Sequence, residues 1–331
     1  MSAIQNTDYV YLSAYVRGRE AGLLTRERLE RMIAAPGFDE AAKVLSECGY
    51  PDLSGASDAE VEAALSARRR AALDDIGRIC PEPALVEAFR LKYDYHNAKV
   101  LVKAEDAAEP KDYLLSDAGR VSPETLKKAY SEDDYRLVPA KLAAAIREAR
   151  ATLARTANPQ LADMGLDKAY YAELLSLTRT LSDDFCTKYA QLAIDLANLR
   201  SAVRCVRGGL DEGVLKAALL PEGTISPDRI ARSVYGEGVT AVFTGSELSA
   251  AAELGQKAIE GAPLSAFERA CDNVRTRRLC EAKLVSFGPA VAAAYLASLD
   301  SELIAARMVL LGKRGGASAD TLRERLRDTY V

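Results

Sequence analysis

The chain has 331 residues, of which 49% are hydrophobic and 28% charged, with a formal net charge of -4 and a pI near 5.4. This length exceeds the size at which one hydrophobic core usually keeps growing, so two or three packed lobes are expected. The lack of an overall positive charge disfavours a general nucleic-acid binder, and short basic clusters such as Arg68–Arg70 are interpreted as solvated helix faces.

The ends and the cysteines indicate a cellular compartment. The segment Met1–Asp8 lacks a basic start followed by an apolar stretch, so no secretory signal is predicted. The longest lightly charged apolar stretch, Ala290 to Leu299, is shorter than the roughly 18 to 20 residues that span a bilayer, so membrane association is expected only through a partner. Because the cysteines contain no CxxC pair, reduced thiols in a cytosolic protein are favoured over disulfides or a zinc site. The six are Cys48, Cys80, Cys186, Cys205, Cys271 and Cys280.

Taken in chain order, nearly every segment has the composition of a helix, so the predicted fold class is all-α. Ser57-x-x-Glu60 forms a capping box, and Pro81-Glu82-Pro83 opens the next helix. The short stretch from Val239 to Thr244 is strand-like but fits a helix equally well, and no sheet is assigned. Glycine-containing segments interrupt the helical patterns at Gly49-Tyr50-Pro51, Gly208-Gly209 and Gly315-Gly316.

A weak internal repeat, with a period of about a third of the chain, organises these helices. Its first part is an acid followed by Asn three residues later and a base five residues later. The copies are Asp94-x-x-Asn97-x-Lys99, Asp195-x-x-Asn198-x-Arg200 and a degenerate Glu302-x-x-Ala305-x-Arg307.

The second part of the repeat is a downstream helix start, with Ser at the N-cap, Pro or Ala at the first helical position and an acid at the second. The copies are Ser122-Pro-Glu-Thr-Leu126, Ser226-Pro-Asp-Arg-Ile230 and Ser318-Ala-Asp-Thr-Leu322, and Arg17 before Thr25-Arg-Glu-Arg-Leu29 is an N-terminal echo in the same order. The chain therefore begins inside one repeat and ends inside another.

Three similar helical lobes in a pseudo-threefold arrangement are expected from this periodicity, and such lobes leave an axial funnel where they meet. The predicted lobes are residues 1–100, 101–205 and 206–310, with 311–331 as a C-terminal helix that completes the body.

The repeated helix is predicted to be central and mostly buried, because apolar residues surround its charged positions nearly all round. The acid and the Asn lie about 60° apart on one face, and the base points about 140° away. Buried charges must pair, meet backbone groups or face a polar cavity. Two alternatives stay open for the bases: intramolecular ion pairs that set lobe packing, or a polar surface where a partner docks.

Enzyme chemistry finds little support in the sequence. The single histidine, His96, excludes a multi-His metal site, and no nucleophile accompanies it. No GxxxxGK[ST] loop occurs, so ATP hydrolysis by this chain is not expected. The acidic pairs Asp74-Asp75 and Asp183-Asp184 lack the third carboxylate of a DDxxD magnesium site and are interpreted as helix-surface or capping groups. No catalytic residue, cofactor or metal is predicted.

Two stretches carry a resemblance to a known family. The segment Phe89-Arg-Leu-Lys92-Tyr93-Asp94-Tyr95-His96-Asn97-Ala-Lys99 resembles a family F-x-x-K-Y-D-x-x-N-x-K motif. The C-terminal part resembles the family ending at Phe287-Gly288-Pro289, Ala294-Tyr295-Leu296, Glu302, Arg307, Gly312-Lys313 and Arg327-Asp-Thr-Tyr330-Val331. With the Tyr11, Tyr15, Arg17 stretch, the resemblance covers essentially the full length. Ala305, where the family usually has Asn, and Ala290, where it commonly has Glu, depart from the pattern.

The family is that of the C subunits of bacterial and archaeal V/A-type rotary ATPases, similar to the d subunit of the eukaryotic vacuolar enzyme. The resemblance implies a non-catalytic, funnel-shaped part of the central stalk at the cytoplasmic face of the membrane, which transmits torque for proton or sodium transport. Its implied partners are the D and F subunits of the shaft, the proteolipid (c/K) ring and, transiently, the stator component in the membrane.

Four basic side chains are the predicted partner-interface positions. They are Arg17, Lys99, Arg200 and Arg307. An alternative function is a cytosolic helical adaptor, although such arrays usually repeat every roughly 20 to 50 residues. An all-helical lyase or synthase is a further alternative, and it would need a paired-carboxylate metal site.

Overall fold

A computed structural model describes residues 4–105 and 112–331, and these residues form α-helices, short 3-10 turns and loops, without a strand. The all-α prediction is confirmed. The first eight α-helices are α1 Val10–Glu20, α2 Arg26–Ala34, α3 Phe38–Ser46, α4 Asp58–Ile79, α5 Pro83–Ala104, α6 Pro123–Glu132, α7 Ala140–Thr156 and α8 Pro159–Thr180. The remaining α-helices are α9 Asp184–Arg207, α10 Glu212–Ala218, α11 Pro227–Ser233, α12 Gly238–Phe243, α13 Ser249–Ile259, α14 Leu264–Glu281, α15 Pro289–Arg314 and α16 Ala319–Arg325.

The helix starts follow local signals. The Ser57 hydroxyl accepts the Glu60 N–H while the Glu60 carboxylate accepts the Ser57 N–H, which is the predicted capping box of α4. Pro83 occupies the first turn of α5, where a missing N–H costs nothing. The ambiguous stretch from Val239 belongs to helix α12, because its apolar side chains are buried against neighbouring helices.

The chain divides into two compact units. The middle unit is Glu82–Ala190, and the discontinuous unit joins Met1–Pro81 with Gln191–Val331. Within the middle unit, α5 packs against α7 and α8, and α7 packs against α8. Fully buried leucine and isoleucine side chains form its core, including Leu91, Leu126 and Ile146. No disulfide joins the six cysteines, all of which lie in the described part of the chain.

The discontinuous unit contains two packed groups of helices. The first surrounds the buried rings of Phe243 and Phe267 and draws its core from α9 to α14. In the second, α15 packs against α1, α2, α3 and α4, so a helix from the C-terminal part of the chain completes its core with N-terminal helices. The central position predicted for the repeated helix is confirmed here, since every residue from Pro289 to Leu299 is buried.

Candidate functional site

The repeated acid holds a loop through its backbone N–H groups. In the middle unit, Asp94 on α5 is 0% exposed, and its Oδ1 accepts the N–H groups of Arg120 at 2.8 Å and Val121 at 3.1 Å. Arg120 Nε donates to the other oxygen at 2.6 Å, and Arg120 Nη1 donates to Glu173 at 2.8 Å. Val121 immediately precedes Ser122, the N-cap of α6. We call this arrangement, a buried acid that accepts the N–H just before an N-cap, the loop clasp.

The second copy repeats the loop clasp with different chemistry. Asp195 on α9 accepts the N–H of Thr224 at 3.0 Å and of Ile225 at 3.4 Å, and the Thr224 hydroxyl also donates to it. Ile225 immediately precedes Ser226, the N-cap of α11. Among the described residues no cation pairs with Asp195, so hydroxyl and backbone groups replace the guanidinium of the first copy.

The third clasp is closed by the N-terminal part of the chain. Glu302 on α15 accepts the Leu24 N–H at 2.6 Å, and the Tyr50 hydroxyl donates to its other oxygen. Leu24 immediately precedes Thr25, whose hydroxyl caps α2. Ser318 does cap α16, as predicted, but the helix start that Glu302 holds is the N-terminal echo. The third repeat is therefore assembled from both ends of the sequence.

The repeated Asn adds a second attachment. Asn97 donates to the Ser116 carbonyl and accepts the Ser116 N–H, each at 2.8 Å. Asn198 makes the same pair of bonds with Leu220, at 2.9 and 2.8 Å. A side-chain amide matches a backbone peptide in this way because each carries one donor and one acceptor on the paired edge. Ala305 removes this attachment from the third copy.

Sequence reasoning missed a glycine three residues before each of these N-caps. A Cβ on Gly119 would lie 2.4 Å from Asp94 Oδ1, and a Cβ on Gly223 would lie 2.2 Å from Asp195 Oδ1. Gly22 occupies the corresponding position of the third copy, where the nearest atom to a Cβ would be Arg19 O at 3.4 Å. The spacing Gly-x-x-Ser/Thr was the signal that could have found them.

Burial opposes the charge of all three acids. Desolvation raises the pKa of Asp94, Asp195 and Glu302 above the ordinary carboxyl values, and the hydrogen bonds from their loops act in the opposite direction. Each N–H donor therefore stabilises the ionised carboxyl, so a small displacement of the loop weakens the loop clasp.

Two of the four predicted interface cations pair with an acid 68 residues further along the chain. Lys99 Nζ lies 2.7 Å from Asp167 Oδ1, and Arg200 Nε lies 2.6 Å from Glu268 Oε2. Arg200 also reaches Asp272 at 2.9 Å. The equal separation extends the repeat to the acidic partner, which sequence reasoning did not find.

The other two cations lie in the discontinuous unit, and they form ion pairs there as well. Arg17 binds Glu20 at 2.8 Å and donates to the carbonyls of Ala282 and Val285, both at 2.8 Å. Arg307 pairs with Glu62 and keeps 55% of its side chain exposed. Intramolecular ion pairs are thus made by all four side chains, and their role at a partner interface stays a prediction.

The residues weighed for enzyme chemistry have structural contacts. His96 Nε2 lies 2.9 Å from the Leu114 carbonyl oxygen. Asp183 accepts the Cys186 N–H at 2.8 Å in the first turn of α9, as expected for a capping carboxylate. Within residues 4–105 and 112–331, no group of three or more His, Cys, Asp or Glu side chains is placed to hold a metal ion. No helix in those ranges is long and apolar enough to cross a membrane.

Comparison with known proteins identifies relatives over nearly the full length. The family model described as "ATP synthase (C/AC39) subunit" matches residues 12–325. The C subunit of the V-type sodium ATPase of Enterococcus hirae is 28% identical, covering 98% of this chain and 99% of that protein. The C subunit of the V-type ATP synthase of Thermus thermophilus is 26% identical, with 93% and 94% covered.

An archaeal relative extends the comparison. The C subunit of the A-type ATP synthase of Methanocaldococcus jannaschii is 24% identical, covering 96% of this chain and 86% of that protein. The family match includes all three loop clasps, from Leu24 to Glu302. The chain belongs to the ATP synthase (C/AC39) subunit family, which comprises the C subunits of V-type and A-type ATPases and ATP synthases.

Proposed function

We propose that this chain is a non-catalytic part of the central stalk that links the D and F subunits of the shaft to the proteolipid ring and transmits torque between them. The loop clasp carries the proposal, since three buried carboxylates serve to tie loops to central helices. A torque-transmitting part needs stiffness and a docking surface, and densely packed helices resist deformation.

A three-lobed body agrees with the order of the contacts. Each repeat would begin at its central helix, α5, α9 or α15, and end at the long helix that leads into the next one, α8, α14 or α4. The predicted boundaries at 100, 205 and 310 then move to the starts of the central helices. We propose that the three lobes surround a funnel that receives the shaft, while the opposite face rests on the ring.

Co-purification tests the proposed partners. We expect the chain to lie on the cytoplasmic side of the membrane. An affinity-tagged chain expressed in cells that contain the complex is expected to bring down the proteolipid ring and the D and F subunits from solubilised membranes. A helical adaptor would instead co-purify with other cytosolic proteins and leave the ring behind, which would refute the proposal.

A charge swap tests the interface positions one at a time. Reversal of Arg307 alone would break its pair with Glu62, so we compare Arg307→Glu with the double variant Arg307→Glu, Glu62→Arg, which restores the pair with exchanged charges. If Arg307 contacts the shaft, both variants bind D and F more weakly in a pull-down. Recovery of wild-type binding in the double variant would show that the intramolecular pair alone matters. Lys99 and Asp167 allow the same comparison.

A further inference from the structure

A cavity of about 380 Å³ lies in the discontinuous unit between α1, the end of α3, α4 and α15. Small residues on α1 and α4 and in the segments that follow α1 and α3 leave the space open: Gly18, Gly22, Gly49, Ala71 and Ala72. Side chains of Tyr15, Arg19, Arg68, Asp75 and Tyr295 supply its polar groups. The loop clasps, the repeated asparagines and the four predicted interface cations are not among its polar groups.

Tyr295 contributes a hydroxyl without a partner. The residue is 7% exposed, and its hydroxyl makes no hydrogen bond to any residue in the described part of the chain. Burial raises the pKa of Tyr295, and the positive charges of Arg68 and Arg19 oppose that rise, so the phenol lies within electrostatic range of both guanidinium groups. The Tyr295 hydroxyl is not one of the enclosed polar atoms that lack a partner, so it opens into the cavity, where an acceptor would bond to it.

Arg68 contributes an unsatisfied guanidinium. It stacks on the Tyr50 ring with Cζ 4.1 Å from the ring centroid, and its Nε is buried without a hydrogen-bond partner. Its ion-pair partner is Glu302, whose Oε1 lies 3.9 Å from Arg68 Nε, beyond hydrogen-bond distance. Glu302 already accepts from Tyr50 and Leu24. The stacking fixes the guanidinium plane, and because Nε itself is enclosed, the terminal Nη groups are the donors that can reach a ligand in the cavity.

The remaining charges at the cavity compensate one another. Asp75 accepts from Tyr15 and Arg19 at 3.3 Å each and from Arg78 at 3.1 Å. Arg19 lies at the rim with 54% of its side chain exposed, and it also donates to the Tyr15 hydroxyl at 2.6 Å. Among the charged groups at the cavity, the positive charge of Arg68 is thus the one least compensated.

We propose that this cavity binds a small organic oxyanion, a carboxylate or a phosphate, through Arg68 and Tyr295. A guanidinium fork matches either anion with two parallel hydrogen bonds, and the phenol donates a third. The volume lies in the range of small-molecule sites, about 300–1,000 Å³, so a ligand with a few carbon atoms beyond the anionic group fits.

Isothermal titration of the full chain at low ionic strength, with inorganic phosphate and with glutarate as separate probes, tests the proposal. We expect saturable binding of at least one probe with a Kd of about 1 mM or below. Arg68→Gln is expected to weaken it about tenfold, and Tyr295→Phe about three- to tenfold. The control variants Arg232→Gln and Tyr235→Phe make the same chemical changes at exposed positions outside the cavity and should bind like wild type.

The two probes separate the sources of the anion, since preferential binding of phosphate or of glutarate identifies the ligand class. Tyr295→Phe removes only an oxygen without a hydrogen bond, so its melting temperature should equal that of wild type even if Arg68→Gln folds poorly. Absence of saturable binding of both probes up to about 10 mM would overturn the proposal. Wild-type affinity in Tyr295→Phe and Arg68→Gln would overturn it equally.

Discussion

Replacing Gly119 by Ala tests the loop clasp at its tightest point. The added Cβ must move from 2.4 Å to at least 3.0 Å from Asp94 Oδ1, because real Cβ contacts are essentially never shorter. That movement pulls the Arg120 and Val121 N–H groups away from a carboxylate that is 0% exposed. A hydrogen bond to a charged group contributes about 1.5–3 kcal/mol. Replacing Gly by Ala also lowers the entropy of the unfolded chain, which stabilises the folded state by about 0.4–1 kcal/mol. If both hydrogen bonds are lost, the net destabilisation is about 2–6 kcal/mol.

Gly22→Ala is the matched control. Gly22 has the same place in the repeat, and none of Gly22, Gly119 and Gly223 has a positive φ, so backbone strain does not distinguish them. A Cβ on Gly22 meets only Arg19 O at 3.4 Å, so the change should be within about 1 kcal/mol of wild type.

Urea unfolding together with hydrogen exchange measures both variants, since a chain with two compact units need not unfold in one step. The amides of Arg120 and Val121 should exchange faster in Gly119→Ala and at the wild-type rate in Gly22→Ala. Equal stability of the two variants, with unchanged exchange at both amides, would refute the loop clasp as a source of stability.

Three further predictions concern the same attachments. Asn198→Ala should destabilise the fold by about 2–4 kcal/mol in urea unfolding, because it leaves the buried Leu220 N–H and carbonyl without partners. Ser122→Ala should cost about 1 kcal/mol through loss of the α6 cap, whereas Ser122→Gly should cost only a few tenths. Burial raises the pKa of Asp195, so its contribution to stability is complete below the unfolded value of about 3.9 and is lost as pH rises through the folded value. The unfolding free energy of wild type should therefore fall relative to Asp195→Asn as pH rises from about 4.

Each of these has an outcome that contradicts it. Wild-type stability of Asn198→Ala would mean that Leu220 finds other partners. Wild-type stability of Ser122→Ala would show that the hydroxyl does not act as a cap. A constant difference between wild type and Asp195→Asn across pH 4 to 8 would show that the Asp195 carboxyl titrates alike in both states.

Local features of the fold were predictable from the sequence because their causes lie within a few residues. Ser122 and Ser226 were assigned as N-caps from spacing alone, and each hydroxyl accepts the N–H three residues later. The pairing of Glu302 with Leu24 was not predictable, because the two residues lie 278 positions apart and the consecutive order of the repeat indicates Ser318 instead. Only the folded chain shows that the repeat closes across the two ends.

The sequence predicted which types of residue form the candidate site, but it predicted fewer of the contacts that those residues make. The buried acids were expected to pair, to meet backbone groups or to face a polar cavity, and Asp195 meets backbone N–H groups and a hydroxyl. The role of Gly119 could not be inferred, because its closeness to Asp94 exists only after the loop folds back onto α5. For Lys99 the intramolecular alternative has a named partner in Asp167, whereas a contact with another protein of the complex stays a prediction.

Coupling of ATP hydrolysis to ion transport in membrane vesicles tests the proposed function most directly. Vesicles that carry the complex without this chain are expected to hydrolyse ATP but to move no ions, and added wild-type chain should restore transport. ATP-driven ion uptake that persists without the chain would contradict a coupling role. Hydrolysis that disappears with the chain would contradict its non-catalytic nature.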